Sequence, residues 1–130
     1  MKTLKVFVDD HRKTPDGWEE VRTVFHAQRL LATGRVDVIS LDNDKLHATK
    51  LESGLYLAQG TPCDEEYMAI AYAIAMAKDE YRPGKVIFHT TNGVAARVME
   101  SLLLDAGYLP QNLIVRKYDA NADIFYTQFR

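Results

Sequence analysis

The chain predicts an α/β fold built on a mainly parallel sheet of five strands. Short apolar runs rich in Val and Ile recur along it: Val6-Phe7-Val8, Val38-Ile39-Ser40-Leu41, Val86-Ile87-Phe88 and Leu113-Ile114-Val115, with Glu20-Val21 as a weaker fifth. Strands of a parallel sheet, covered on both faces, read as near-continuous runs of this kind. Helix-length segments separate most of the runs, as crossovers between parallel strands require. Each run halts at charged or hydrogen-bonding residues: Asp9-Asp10, Asp42-Asn43-Asp44, His89-Thr90-Thr91-Asn92, Arg116-Lys117 and Arg22-Thr23. In open α/β sheets ligands bind outside the carboxyl ends of the strands, so these halts surround one crevice. Carboxylates, an imidazole, hydroxyls and a cation together suit a divalent cation and a phosphate.

The elements follow in order. After the first strand, His11 to Gly17 carries Pro15 and Asp16-Gly17, which is turn chemistry. Trp18 to Arg22 is expected as a short second strand reached by a shortened crossover. Thr23 then caps a helix carrying Ala27, Leu30 and Leu31, closed by Gly34 in the C′ position. The third strand is expected over Val36 to Leu41. Thr61, Pro62 and the acidic Asp64, Glu65 and Glu66 signal the start of the next helix. Its inward face is expected at Tyr67, Ile70, Ala71, Ile74 and Ala75. Asn92 caps a further helix, with Val94, Val98, Met99, Leu102 and Leu103 inward and Gly107 as its end. Right-handed crossovers predict helices on both faces of the sheet, a three-layer sandwich.

Two segments exceed this minimum. Residues His47 to Gly60 form an insertion in which Ser53-Gly54 offers a hairpin turn between Lys50-Leu51-Glu52 and Leu55-Tyr56-Leu57. At the end, Ile124-Phe125-Tyr126 either folds back antiparallel to the fifth strand, as a C-terminal hairpin strand, or stays irregular.

Bulk properties narrow the function. The 130 residues read as one domain, 1–130, with 47% hydrophobic and 26% charged residues. A formal net charge of -2 argues against bulk nucleic-acid binding. The single cysteine, Cys63, permits no internal disulfide, and the opening apolar stretch meets Asp9 too early for a signal peptide. No apolar run reaches membrane-spanning length. A cytoplasmic location is the expectation.

Asp9, Asp10 and Asp42 form the leading constellation. Carboxylates converging at strand ends repel unless a cation lies between them, and oxygen ligands suit Mg²⁺. The alternative is that they cap loops. His89 is a candidate proton donor or phosphate ligand, or else a buried histidine bonded to its neighbours. Thr90, Thr91 and Asn92 stand at a strand-to-helix turn, where hydroxyls and free N–H groups bind anions or simply cap the helix. Arg12 and Lys13 are candidate phosphate clamps. Either Lys117 or Arg116, but not both, is expected to face the crevice from the fifth strand. His11 and His47 also fall near the strand tips, so a histidine-bearing transition-metal site stays open.

Together the segments Val8-Asp9-Asp10-His11-Arg12, Pro15-Asp16-Gly17-Trp18, Val21-Arg22-Thr23, Ile39-Ser40-Leu41-Asp42-Asn43-Asp44 and His89-Thr90-Thr91-Asn92 resemble the cyclic-phosphate processing receiver-like family. The likeness runs from Val6 to about Gly107, in order. It implies a CheY-like (flavodoxin-like) receiver fold and a role on cyclic phosphates or phosphorylated nucleotide and RNA ends, in settings such as RNA repair and phage conflict. By position Asp9 and Asp10 match the family's acidic pair, Asp42 and Asp44 its second pair of carboxylates, Arg12 its loop arginine and His89 the histidine of its fourth strand. The four carboxylates are the candidate metal ligands, with Mg²⁺ as the expected cofactor. The chain departs from the family pattern in four places: Asn43 stands for a histidine, Lys45-Leu46 for Leu-Gly and Thr90-Thr91 for Ser-Ala, and the 47–60 insertion is longer. The receiver-type Lys-Pro is also absent, since Lys117 precedes Tyr118.

These features support a metal-dependent phosphohydrolase in which Asp42 and His89 act on a nucleotide or RNA-end phosphate. Arg12, Thr90, Thr91 and Lys117 would hold the substrate. The alternatives are a non-catalytic receiver-like phosphate- or nucleotide-binding module, and an interaction protein. The latter would use Phe125, Tyr126 and Phe129 to bind a protein partner or a second copy through the C-terminal segment.

Overall fold

The computed structural model describes residues 2–10, 12–42, 65–90, 93–119 and 124–128. They form strands β1 (Leu4–Val8), β2 (Glu19–Val21), β3 (Val36–Leu41), β4 (Lys85–Phe88), β5 (Leu113–Asp119) and β6 (Ile124–Gln128). Helices α1 (Val24–Leu31), α2 (Glu65–Met76) and α3 (Gly93–Asp105) connect them. One sheet has the order β2-β1-β3-β4-β5-β6, parallel through β5, with β6 antiparallel to β5. The parallel part has the receiver-like order 2-1-3-4-5, and the C-terminal hairpin strand is formed.

Register explains where the core lies. Val6, Ile39, Val86 and Leu113 align across four strands, and two residues further on Val8, Leu41, Phe88 and Val115 align. Side chains alternate along a strand, so both rows share one face. They pack with Ala27 and Leu31 of α1, Ile70, Ala71 and Ile74 of α2, and Met99 and Leu103 of α3. The three helices lie side by side, α1 against α2 and α2 against α3.

The α/β receiver-like class holds, but among the described residues the helices form one layer on one face. Connectivity is the reason. β1 reaches β2 without a helix, the shortened crossover, and β5 returns through residues 120–123 into β6. These are the two connections that would lay helices on the second face. That face carries the intervening row Phe7, Ser40, Ile87 and Ile114, of which the first three are buried.

Local signals mostly act as read. Thr23 Oγ1 accepts the His26 N–H at 3.1 Å, and Gly34 takes φ 69° after α1. Gly107, at φ 108°, follows α3. β2 is shorter than Trp18 to Arg22. In α3 the expected inward face is corrected. Val94 and Val98 are exposed, whereas Ala95, Ala96, Met99 and Leu103 are buried. The small alanines let the helix approach the sheet, which outweighs the greater apolarity of the valines. The 50–57 hairpin and the caps Thr61 and Asn92 lie outside the described residues. No helix among the described residues is long and apolar enough to cross a membrane.

Arg82 ties two helix ends together. Its guanidinium donates to Ala75 O (2.6 Å) and Ala77 O (3.1 Å) at the end of α2, and to Ala106 O (2.8 Å) beyond α3. Terminal helix carbonyls lack intrahelical partners, and a cation suits the dipole there. Arg82→Ala should therefore cost about 1.5–3 kcal/mol in denaturant unfolding, the usual scale for charge-assisted bonds. An unchanged midpoint would show that water replaces all three bonds. Beside it, Tyr108 donates to Pro83 O at 2.7 Å, and burial pushes its phenol pKa up to about 12.

Candidate functional site

Asp9, Asp42 and His89 are each the first residue beyond a strand, and each is held by one more rung of the ladder. Asp9 N–H donates to Val21 O (3.0 Å), Asp42 N–H to Val8 O (3.1 Å) and His89 N–H to Leu41 O (3.0 Å). Each follows a core residue, Val8, Leu41 or Phe88, so the pleat turns its side chain to the second face. Phe7, Ser40 and Ile87, two residues earlier, share that direction. All three site side chains are 0% exposed.

The geometry is a buried polar chain. His89 Nε2 lies 2.9 Å from Asp9 Oδ2, and Nδ1 lies 2.6 Å from Ser40 Oγ. A carboxylate only accepts, so Nε2–H donates to Asp9. The neutral ring then accepts the Ser40 hydroxyl proton at Nδ1, and the protonated ring donates to Ser40 instead. The imidazole stacks on Phe7 with centroids 4.3 Å apart, and Trp18 meets Phe7 edge-on at 6.4 Å.

Arg12 completes the group and is itself buried. Its backbone N–H donates to Asp9 Oδ1 (2.8 Å), and its NH1 lies 3.0 Å from Asp9 Oδ2 and 3.2 Å from Asp42 Oδ1. Arg22 NH1 pins the loop backbone, donating to Arg12 O (2.6 Å) and Asp9 O (3.1 Å), while its NH2 pairs with Glu20. Burying two carboxylates is costly unless they are paired, and Arg12 provides that pairing.

The structure thus brings Asp9, Asp42, His89 and Arg12 together. Asp10 is half-buried and is not among the grouped ligand residues. Thr90, the residue that follows His89, is buried. Lys117 lies on β5, its backbone paired with Tyr126, and its side chain falls outside the described residues. Asp44 and Thr91 also fall outside them. Ser40 and Phe7 were given no role from sequence, and Arg22 entered only as one of the strand-end halts. The available signal for Ser40 was a lone hydroxyl within an apolar strand, two residues before a strand-end carboxylate.

Asp9, Asp42 and His89 each offer one ligand atom, and these atoms lie within 4.8 Å of one another. Two carboxylates and an imidazole form a donor set that fits a divalent metal ion. An apolar cavity lies elsewhere. It measures about 350 Å³, is lined by Leu31, Ile74, Lys78 and Tyr81 among others, and sits at the carboxyl ends of α1 and α2, the opposite edge of the sheet. Its lining holds no cluster of acids and imidazole, unlike the carboxyl edge of the sheet.

The family model of the cyclic-phosphate processing receiver domain matches residues 4–105, the stretch that holds Asp9, Arg12, Ser40, Asp42 and His89. No curated protein and no solved structure matches the chain.

Proposed function

The chain belongs to the cyclic-phosphate processing receiver domain family, and from that premise we propose that it is a divalent-cation-dependent phosphohydrolase acting on cyclic phosphates or on phosphorylated nucleotide or RNA ends. The observation that carries this reading is the buried Asp9–Asp42–His89 group at the carboxyl edge of the sheet. Two carboxylates alone repel a phosphate, so positive charge must accompany it into the crevice.

Asp9 and Asp42 would hold the cation, Mg²⁺ or a similar ion, which would neutralise phosphate charge and polarise the phosphorus centre. Arg12 offers a planar fork matched to phosphate oxygens. His89 carries a transferable proton at Nε2, where Asp9 now accepts it, and Ser40 orients the ring from the other side. Thr90, the residue after His89, is a further candidate hydroxyl for the substrate phosphate. In a second route, the Asp42 carboxylate attacks phosphorus and one ribose oxygen departs with the His89 proton, leaving an aspartyl phosphodiester still joined to the other ribose oxygen, which water cleaves to Asp42 and a nucleoside monophosphate.

Hydrolysis of a nucleoside 2′,3′-cyclic phosphate by chelated and Mg²⁺- or Mn²⁺-reloaded protein tests the proposal. Turnover should require the cation, and Asp42→Asn should lower it on the order of 10²–10³-fold, the scale for losing one preorganised electrostatic group. Equal turnover with and without the cation would overturn the reading. The bridging of both carboxylates by Arg12 favours one alternative, a receiver-like module that binds phosphate or nucleotide without cleaving it. That alternative is recognised in the same assay as nucleotide binding with no product.

A further inference from the structure

We infer that Arg12 is the chain's own stand-in for the divalent cation, so that metal binding and the Arg12 ion pairs exclude one another. This rests on the cation-dependent reading above and concerns how that same site is loaded. NH1 of Arg12 lies 3.0 Å from Asp9 Oδ2 and 3.2 Å from Asp42 Oδ1. These belong to two of the three residues whose ligand atoms cluster within 4.8 Å. A divalent ion draws carboxylate oxygens to roughly 2.0–2.6 Å. An ion bridging Asp9 and Asp42 would take the space and the lone pairs that NH1 now uses, and its charge would repel the guanidinium at such short range.

The surroundings are suited to that exchange. Arg22 holds the backbone at Asp9 O and Arg12 O, and Arg12 N–H holds Asp9 Oδ1. The loop therefore stays anchored while the Arg12 side chain turns about its own bonds. The displaced guanidinium becomes available to the incoming phosphate, so loading the cation arms the anion clamp.

Mn²⁺ titration by calorimetry of the wild type, Arg12→Gln and Arg12→Ala reads this without reference to turnover. Arg12→Gln, which retains N–H donors for the carboxylates, should bind Mn²⁺ at least tenfold more tightly than the wild type, and Asp42→Asn added to it should abolish that gain. If Arg12→Ala is unfolded without metal, Mn²⁺ should restore its melting transition, with a larger rise than in the wild type. A folded Arg12→Gln that binds Mn²⁺ no more tightly than a binding-competent wild type overturns the inference and leaves the proposed function standing. A gain that survives Asp42→Asn also overturns it, because the ion then binds elsewhere. Absence of Mn²⁺ binding in all three proteins removes both the inference and the cation-dependent reading.

Discussion

Asp9→Ala should lower the melting temperature by about 10–20 °C, the largest stability loss expected from one substitution at this site. Asp9 is 0% exposed and accepts from the Arg12 backbone N–H, Arg12 NH1 and His89 Nε2. Truncation leaves a guanidinium and an imidazole facing each other without the carboxylate between them. Removing one member of a buried pair costs about 3–5 kcal/mol. Total stability is only about 5–15 kcal/mol. For a chain of this size each kcal/mol moves the midpoint by about 3–5 °C, between the ranges for smaller and larger domains. Thermal unfolding followed by circular dichroism measures the change. A drop of less than about 3 °C, below even 1 kcal/mol, would mean that Asp9 is not the hub of the network. Asp9→Asn should fall between Ala and wild type, since its amide keeps an acceptor for Arg12 but adds a donor facing donors.

His89→Ala should lower cyclic-phosphate turnover by roughly 10²–10⁴-fold, the usual worth of a positioned acid or base. The ring is enclosed by Phe7, Ser40 and Asp9, so the variant will also lose stability, and the two effects need separating. Activity per folded molecule, measured well below the melting temperature, does so. A proton-transfer role also predicts that the variant loses one limb of the pH–rate profile, which a purely structural histidine would not change. Ser40→Ala should cost less turnover and displace that limb instead of removing it, because Ser40 acts on the ring and not on substrate. Full activity in folded His89→Ala would leave the carboxylates and Arg12 as the remaining chemical groups.

Much of the fold was legible because it is written in consecutive residues. The run Val36 to Leu41 is the observed β3, the Thr23 cap forms its hydrogen bond, and Gly34 takes the left-handed conformation its place demanded. The strand-end halts were legible for the same reason. Once a strand leaves the core, the next side chain has nowhere apolar to go, so Asp9, Asp42 and His89 declared themselves. At Val94 and Val98 the expectation failed because two adjacent helical stripes compete, Val94, Val98 and Leu102 on one and Ala95, Met99 and Leu103 on the other. The tight approach that Ala95 and Ala96 permit exists only against the sheet.

The sequence by itself determined the class of fold, the edge at which the site lies and three of its chemical groups. Periodicity and the chemistry of strand ends are local properties. The tertiary structure decided what those groups do to one another. It put His89 against Asp9, 80 residues away in the chain, and turned Ser40 from a strand residue into the partner of Nδ1. It placed the Arg12 guanidinium between two carboxylates instead of leaving it in solvent, and it drew all three described helices to one face of the sheet. Such outcomes depend on which strands are neighbours and on which buried charges must be compensated at close range. Only the assembled sheet, with water excluded, sets those distances.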